Sequence, residues 1–190
     1  MTNFKHTTDE QLMSSLQKGD ESAFTILYER YSNRILYFMF KMLRNDEAKA
    51  QDFTQDIFIK IIDSADKFDT DKSFKTWIFT IAANHCKNYF RGNKEMLDID
   101  GPGISIAFPD YIEDEYDQSE FREKLNIEVD KLSYNFRETF ILRYFEDLKL
   151  KEIAEVMDCP VGTVKSRLNH VTQVLAHKLK AYQVLFNDKI

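Results

Sequence analysis

From residue 20 to residue 43 the apolar side chains of Phe24, Leu27, Tyr28, Tyr31, Ile35, Phe38, Met39 and Met42 recur three or four positions apart. That is the period of one helix face pressed into a core. Just upstream, Thr8 with Gln11 three residues on reads as a capping box for a short helix carrying Leu12 and Leu16; Gly19 stops it and Asp20 caps the next. A third helix is predicted over 46–65, with Ala50, Phe53, Ile57, Phe58 and Ile61 as its buried face. A fourth starts near Phe74, where Trp77, Ile78, Ile81, Ala82 and Tyr89 share a packing face and Thr76, Thr80, Asn84, Lys87 and Arg91 form a separate polar stripe.

The pattern breaks between residues 97 and 121 and then resumes. Helices are expected over 122–132 and 134–145, ahead of a segment that reads as a helix-turn-helix. In Leu150 to Met157 the apolar residues face inward and the small Ala154 admits a second helix; Asp158-Cys159-Pro160 then turns the chain, and Pro160 suits a helix start. On the helix that follows, Val164, Leu168, Val171, Leu175 and Leu179 are core, leaving Lys165, Ser166, Asn169, His170 and Gln173 outward with Thr163 and Arg167 beside them. These are side chains that hydrogen-bond base edges or phosphates.

Charge sharpens the division. The 190 residues carry a formal net charge of −6, which taken alone disfavours a nucleic-acid binder. Eight acids, Asp98, Asp100, Asp110, Glu113, Asp114, Glu115, Asp117 and Glu120, lie in the interrupted stretch with no Lys or Arg among them, beside Gly101, Pro102, Gly103 and Pro109. Without that stretch the remainder is slightly basic, and 72–94 and 159–187 contain no acid at all. The expected architecture is all-α: a helical domain over 1–96, an acidic flexible linker over 97–121, and a second helical domain over 122–190 containing the helix-turn-helix. The first ten residues lack the apolar stretch of a secretory signal and no long uncharged run follows, so a cytoplasmic protein is expected.

Candidate chemistry falls on three surfaces. Asp52, Gln55, Asp56 and Ile59 line up at i, i+3, i+4 and i+7 opposite the buried face of the third helix. An isoleucine inside an acidic and amide surface fits either a solvated face or a docking surface with an apolar centre and polar rim. The acid-free run after residue 72 interleaves Lys72, Lys75, Lys87, Arg91 and Lys94 with aromatic residues, as a single-strand binder would, although a solvated basic face over an aromatic core fits too. The helix-turn-helix is the third, against which a hairpin used only for packing is the plain alternative. Cys86 and Cys159 are far apart and lack metal-site spacing, and both read as small hydrophobes. No nucleophile triad, phosphate-binding glycine loop or dinucleotide fingerprint is present, and His170 has no partner histidine or carboxylate near it in sequence; no enzymatic activity, cofactor or metal site is expected.

In this order the motifs resemble the extracytoplasmic-function class of the sigma-70 family of bacterial RNA polymerase sigma factors. The likeness rests on Gly19 to Phe24, Ala50 to Phe58, Phe74 to Ile78 with Ile81 to Asn84, Phe136 to Glu138, Leu142 to Tyr144, Glu152 to Ala154 and Pro160 to Leu168. The resemblance implies that Asp52, Gln55, Asp56 and Ile59 meet the clamp helices of core RNA polymerase, and that the flap of the enzyme holds the second domain. It implies that Phe68, Lys72, Ser73, Lys75, Asn84, Lys87, Asn88 and Arg91 serve the minus-ten element, Trp77 being structural. Thr163, Lys165, Ser166, Arg167, Asn169, His170 and Gln173 would serve the minus-thirty-five element, and the acidic linker would thread the RNA channel of the polymerase. Regulation by a separate anti-sigma protein, one that a membrane can anchor, is implied because no further C-terminal motif follows. Asp158 stands where the family often has Gly; Asp tolerates the left-handed region, so an intact turn is expected. The rivals are a helix-turn-helix regulator that binds operator DNA alone and a metal-dependent nuclease built on Asp52 and Asp56.

Overall fold

In the computed structural model, residues 7–92 and 118–179 are described, and they are helical throughout, in eight α-helices. The acidic stretch 97–117 and the tail 180–190 lie outside the described residues, and with them the linker's expected path.

α1 (Asp9–Leu16) opens on the Thr8–Gln11 capping box. Gly19 takes the left-handed conformation at φ 91°, and Asp20 caps α2 (Glu21–Met42) by accepting from the Ser22 amide. Left-handed Arg44 and Asn45 close α2, and Asp46 caps α3 (Glu47–Asp63). α4 (Phe74–Gly92) begins after a single 3-10 turn at Ala65–Lys67. Leu12, Leu27, Ile35, Phe38, Ile57, Ile78 and Ala82 are fully buried among these four helices, each large side chain contributing about 1.5–3 kcal/mol of burial. Tyr28 departs from the expected stripe: it is 45% exposed and lies edge-on against Phe58.

α5 (Gln118–Asp130) starts four residues earlier than the periodicity suggests, inside the stretch read as linker. α6 (Tyr134–Phe140) does not continue as an α-helix to residue 145. Ile141–Phe145 instead form a π-helical turn, closed by the Glu146 amide donating to the Ile141 carbonyl at 3.0 Å. α7 (Leu150–Met157) ends on Asp158, left-handed at φ 51°, and α8 (Val161–Lys178) follows Pro160. Asp158 thus holds the turn where a glycine was the usual expectation.

The two halves are packed together, and their buried residues form one continuous core. α4 lies along α7, and Phe90 meets Tyr134 edge-on at 5.4 Å. Across the seam Lys41 pairs with Asp130 at 2.8 Å, Arg34 with Glu146 at 2.6 Å, and Arg137 Nη1 donates to the Lys41 carbonyl.

Candidate nucleic-acid interface

On α3 the residues Asp52, Gln55, Asp56 and Ile59 are all exposed, and Ile59 keeps 57% of its surface open to solvent. Ile62, half-exposed one turn further on, extends the apolar centre and was not singled out in the sequence, although its offset from the buried stripe was readable. Asp56 Oδ2 approaches His85 Nε2 of α4 at 3.4 Å, and the His85 ring stands edge-on against Phe53. Burial holds His85 below its ordinary value, against the pull of Asp56.

The α4 surface is divided. Lys72, Asn84, Asn88 and Arg91 are exposed. Ser73 is half-buried, and its hydroxyl accepts the Thr76 amide at 3.2 Å, capping the helix from which the stripe projects. Glu10 of α1 adds a second cap by accepting the Phe74 amide. Phe68, expected among the residues that serve the minus-ten element, is only 5% exposed: it packs on Trp77 and Phe74, and its carbonyl accepts from Gln17. Thr76, expected on the solvated stripe, is buried as well. Lys75 and Lys87 are half-buried; Lys75 Nζ donates to the Glu146 carbonyl, and Lys87 Nζ to the Met157 carbonyl at 3.2 Å. Burial lowers the Lys75 ammonium below its ordinary value, the nearby Arg34 adding to the effect.

On α8 the expected core residues Val164, Leu168, Val171 and Leu175 are buried. Lys165, Ser166, Asn169 and Gln173 project to solvent, with Gln173 Nε2 donating to Asn169 Oδ1 at 3.3 Å. Thr163 sits half-buried at the helix start. Arg167 and His170 point less freely than expected: the Arg167 guanidinium lies 4.0 Å from Cys159 Sγ, and the His170 ring leans on Phe136 at 4.7 Å. Neither position could be foreseen from spacing, since both partners come from other segments. Behind α8, Glu138 is wholly buried between Lys87 and Arg167, and desolvation pushes its carboxyl up to about 7.

Among the described residues no group of three or more His, Cys, Asp or Glu gathers as a metal site would require, and no helix is long and apolar enough to cross a membrane. Residues 27–95 match the Sigma-70 region 2 family and residues 128–171 match Sigma-70, region 4. The ECF RNA polymerase sigma-E factor of Haemophilus influenzae is 32% identical over 91% of this chain and 96% of its own length. The chain belongs to the ECF RNA polymerase sigma factors. RNA polymerase sigma-H factor of Pseudomonas aeruginosa is 30% identical, covering 95% of this sigma factor and 96% of the relative, and the sigma-E factor of Escherichia coli K12 is 30% identical over 91% and 95%. Among solved structures, the sigma factor RpoE in complex with the anti-sigma factor NepR from Bartonella quintana superposes with a TM-score of 0.62 at 28% identity, covering 83% of this sigma factor and 96% of that chain. The structure of CnrH in complex with the cytosolic domain of CnrY gives 0.67 at 22% identity, over 91% and 97%, a likeness of fold. As an ECF sigma factor, the chain serves promoter-specific initiation of transcription.

Proposed function

We propose that this sigma factor docks core RNA polymerase through the exposed face of α3, holds unstacked minus-ten bases on α4 and reads the minus-thirty-five element with α8. The observation that carries the docking role is the exposed Ile59 and Ile62 pair rimmed by Asp52, Gln55 and Asp56, an apolar centre with a polar edge on an otherwise well-packed helix. Lys72, Asn84, Asn88 and Arg91 supply phosphate attraction and amide hydrogen bonds on α4, joined by Lys75 and Lys87. Phe68, being buried, supports the loop before α4 and does not touch a base. On α8, Lys165, Ser166, Asn169 and Gln173 face the major groove, Thr163 lies over the phosphates at the helix start, and Arg167 and His170 flank them.

The work is binding work: contact energy offsets the unstacking of a few bases, and no covalent step belongs to the chain. It acts in the cytoplasm, where polymerase and promoter are. A separate anti-sigma protein is the regulator, a role supported by the relative solved with NepR, which superposes over most of both chains.

The test is co-elution of the full chain with bacterial core RNA polymerase, followed by footprinting of promoter opening over a genomic library. Asp56→Arg should weaken core association by about tenfold or more while the circular dichroism spectrum is kept. Lys165→Ala should cost about 1–3 kcal/mol at particular minus-thirty-five bases if it reads an edge, or weaken all sequences alike if it holds a phosphate. Tight duplex binding without polymerase, and no association with it, would overturn the proposal in favour of an ordinary regulator.

A further inference from the structure

We infer that His85 of α4 is a positioning residue for docking: its ring, braced on Phe53, holds the Asp56 carboxylate of α3 in the orientation that core RNA polymerase meets. The inference rests on the docking role proposed for α3 and adds to it a residue from another helix. Asp56 Oδ2 lies 3.4 Å from His85 Nε2, at the outer edge of a ring N–H bond to a carboxylate. The two ends of that contact differ in freedom. The Asp56 side chain is 56% exposed, whereas that of His85 is 25% exposed and stands edge-on against Phe53, with 4.3 Å between ring centroids. Phe53 is itself met edge-on by Tyr89 at 5.4 Å, and Lys49 lies over the Tyr89 ring. The ring is thus the fixed partner, and the carboxylate is the one it steers.

An exposed acid samples several rotamers, and a partner that captures it must freeze them. A contact made before docking removes part of that loss. The imidazole suits the task by its charge as well. Burial holds it below its ordinary value against the pull of Asp56, and Lys60, one turn along α3 from Asp56, adds to the lowering. Near neutral pH the ring is therefore uncharged, and the tautomer protonated at Nε2 donates to Asp56 without cancelling the negative charge that Asp56 offers a partner. A lysine or arginine in its place would orient the carboxylate and neutralise it at once.

The experiment measures association of the full chain with core RNA polymerase at about pH 7.5, where the ring is uncharged. His85→Phe keeps a ring against Phe53 and removes the N–H; it should weaken association about threefold to tenfold. His85→Gln, which restores a donor on a side chain of similar reach, should regain most of that loss. With Asp56→Ala already in place, His85→Phe should change nothing further, since the second residue acts through the first. The ring gives a reading of its own: Asp56→Asn should move the His85 titration midpoint, followed by NMR, to lower pH, because the pull of the carboxylate is gone. An unmoved midpoint would overturn the inference, as would His85→Phe binding polymerase as tightly as the unaltered chain, or losing as much with Asp56 already removed. Asp56→Arg separates these failures from failure of the docking role. Weakened association there with unimpaired His85→Phe leaves the docking role standing without the positioning, and unchanged association in Asp56→Arg removes both.

Discussion

Glu138 is an acid in a place where acids are expensive. Wholly buried on α6, it faces Lys87 and Cys86 of α4, Arg167 of α8, Cys159 of the turn before it and Tyr134 of its own helix, and neither carboxylate oxygen finds a hydrogen-bond donor among the described residues. Desolvation lifts it to about 7 from an ordinary 4.5, so the folded chain holds a proton there that the unfolded chain has released. Stability is therefore lost as pH rises through the window from about 4.5 to 7, and the loss is complete above it. At full ionisation the loss is on the order of 3 kcal/mol, net of the opposing pull of Lys87 and Arg167. Glu138→Gln should flatten that part of the profile and leave the variant more stable than the original chain at pH 8; urea midpoints measured across the window check it. A midpoint that falls equally in both proteins would place the titrating group elsewhere.

At the scale of the element, the helix-turn-helix depends on Asp158 holding φ at 51°, where an L side chain is disfavoured. Asp158→Gly should relieve that strain at some entropic cost in the unfolded chain and raise stability by up to about 1 kcal/mol, read as a rise in melting temperature with α8 otherwise unmoved. Removing the cap of α3 acts in the other direction: Asp46→Ala takes an acceptor from the Lys49 amide and should cost about 1 kcal/mol in a denaturant titration. The turn at Asp158 was read from the sequence, because turns are chosen by one or two adjacent residues; α3 was expected to begin at residue 46, and the structure makes Asp46 its cap. The burial of Leu12, Leu27, Ile35 and Val164, which helical period alone decides, was legible too. The end of α6 was not. Ile141–Phe145 keep the apolar spacing of an α-helix, and nothing in Ile-Leu-Arg-Tyr-Phe announces the one extra residue of a π turn. Tyr28 was misjudged for a related reason: its place on the stripe of α2 is correct, but the stripe there outlasts the core that covers it.

At the scale of the molecule, what spacing could not foresee was contact between the halves. The candidate surfaces on α3 and α8 were readable because exposure there depends on one helix and its own domain. Thr76 and Lys87 on α4 were read as part of a polar stripe and Lys75 as part of the basic run; Thr76 is buried, and Lys75 and Lys87 donate to the carbonyls of Glu146 and Met157, some 70 residues away in sequence. The continuous core carries an expectation about unfolding. Trp77, the single tryptophan, reports the first half alone, whereas circular dichroism reports the helices of both. The two signals should coincide in the unaltered chain and separate in Glu146→Lys, since cutting the Arg34 fastening uncouples the cores. Coincident curves in the variant would mean that apolar contact, such as that of Phe90 with Tyr134, suffices for coupling.

The π turn after α6 has a consequence in heredity. A π turn differs from an α turn by one residue, so loss of a single codon between Ile141 and Phe145 would regularise the helix and rotate everything after it by about 100° relative to the helix before. Glu146 would swing away from Arg34 and Lys75 together, while every side chain on α3, α4 and α8 that faces a partner stayed as it is. One deletion thus lies between a lineage whose two halves clasp and a lineage whose halves do not, with promoter preference untouched, and the reverse step is a single insertion.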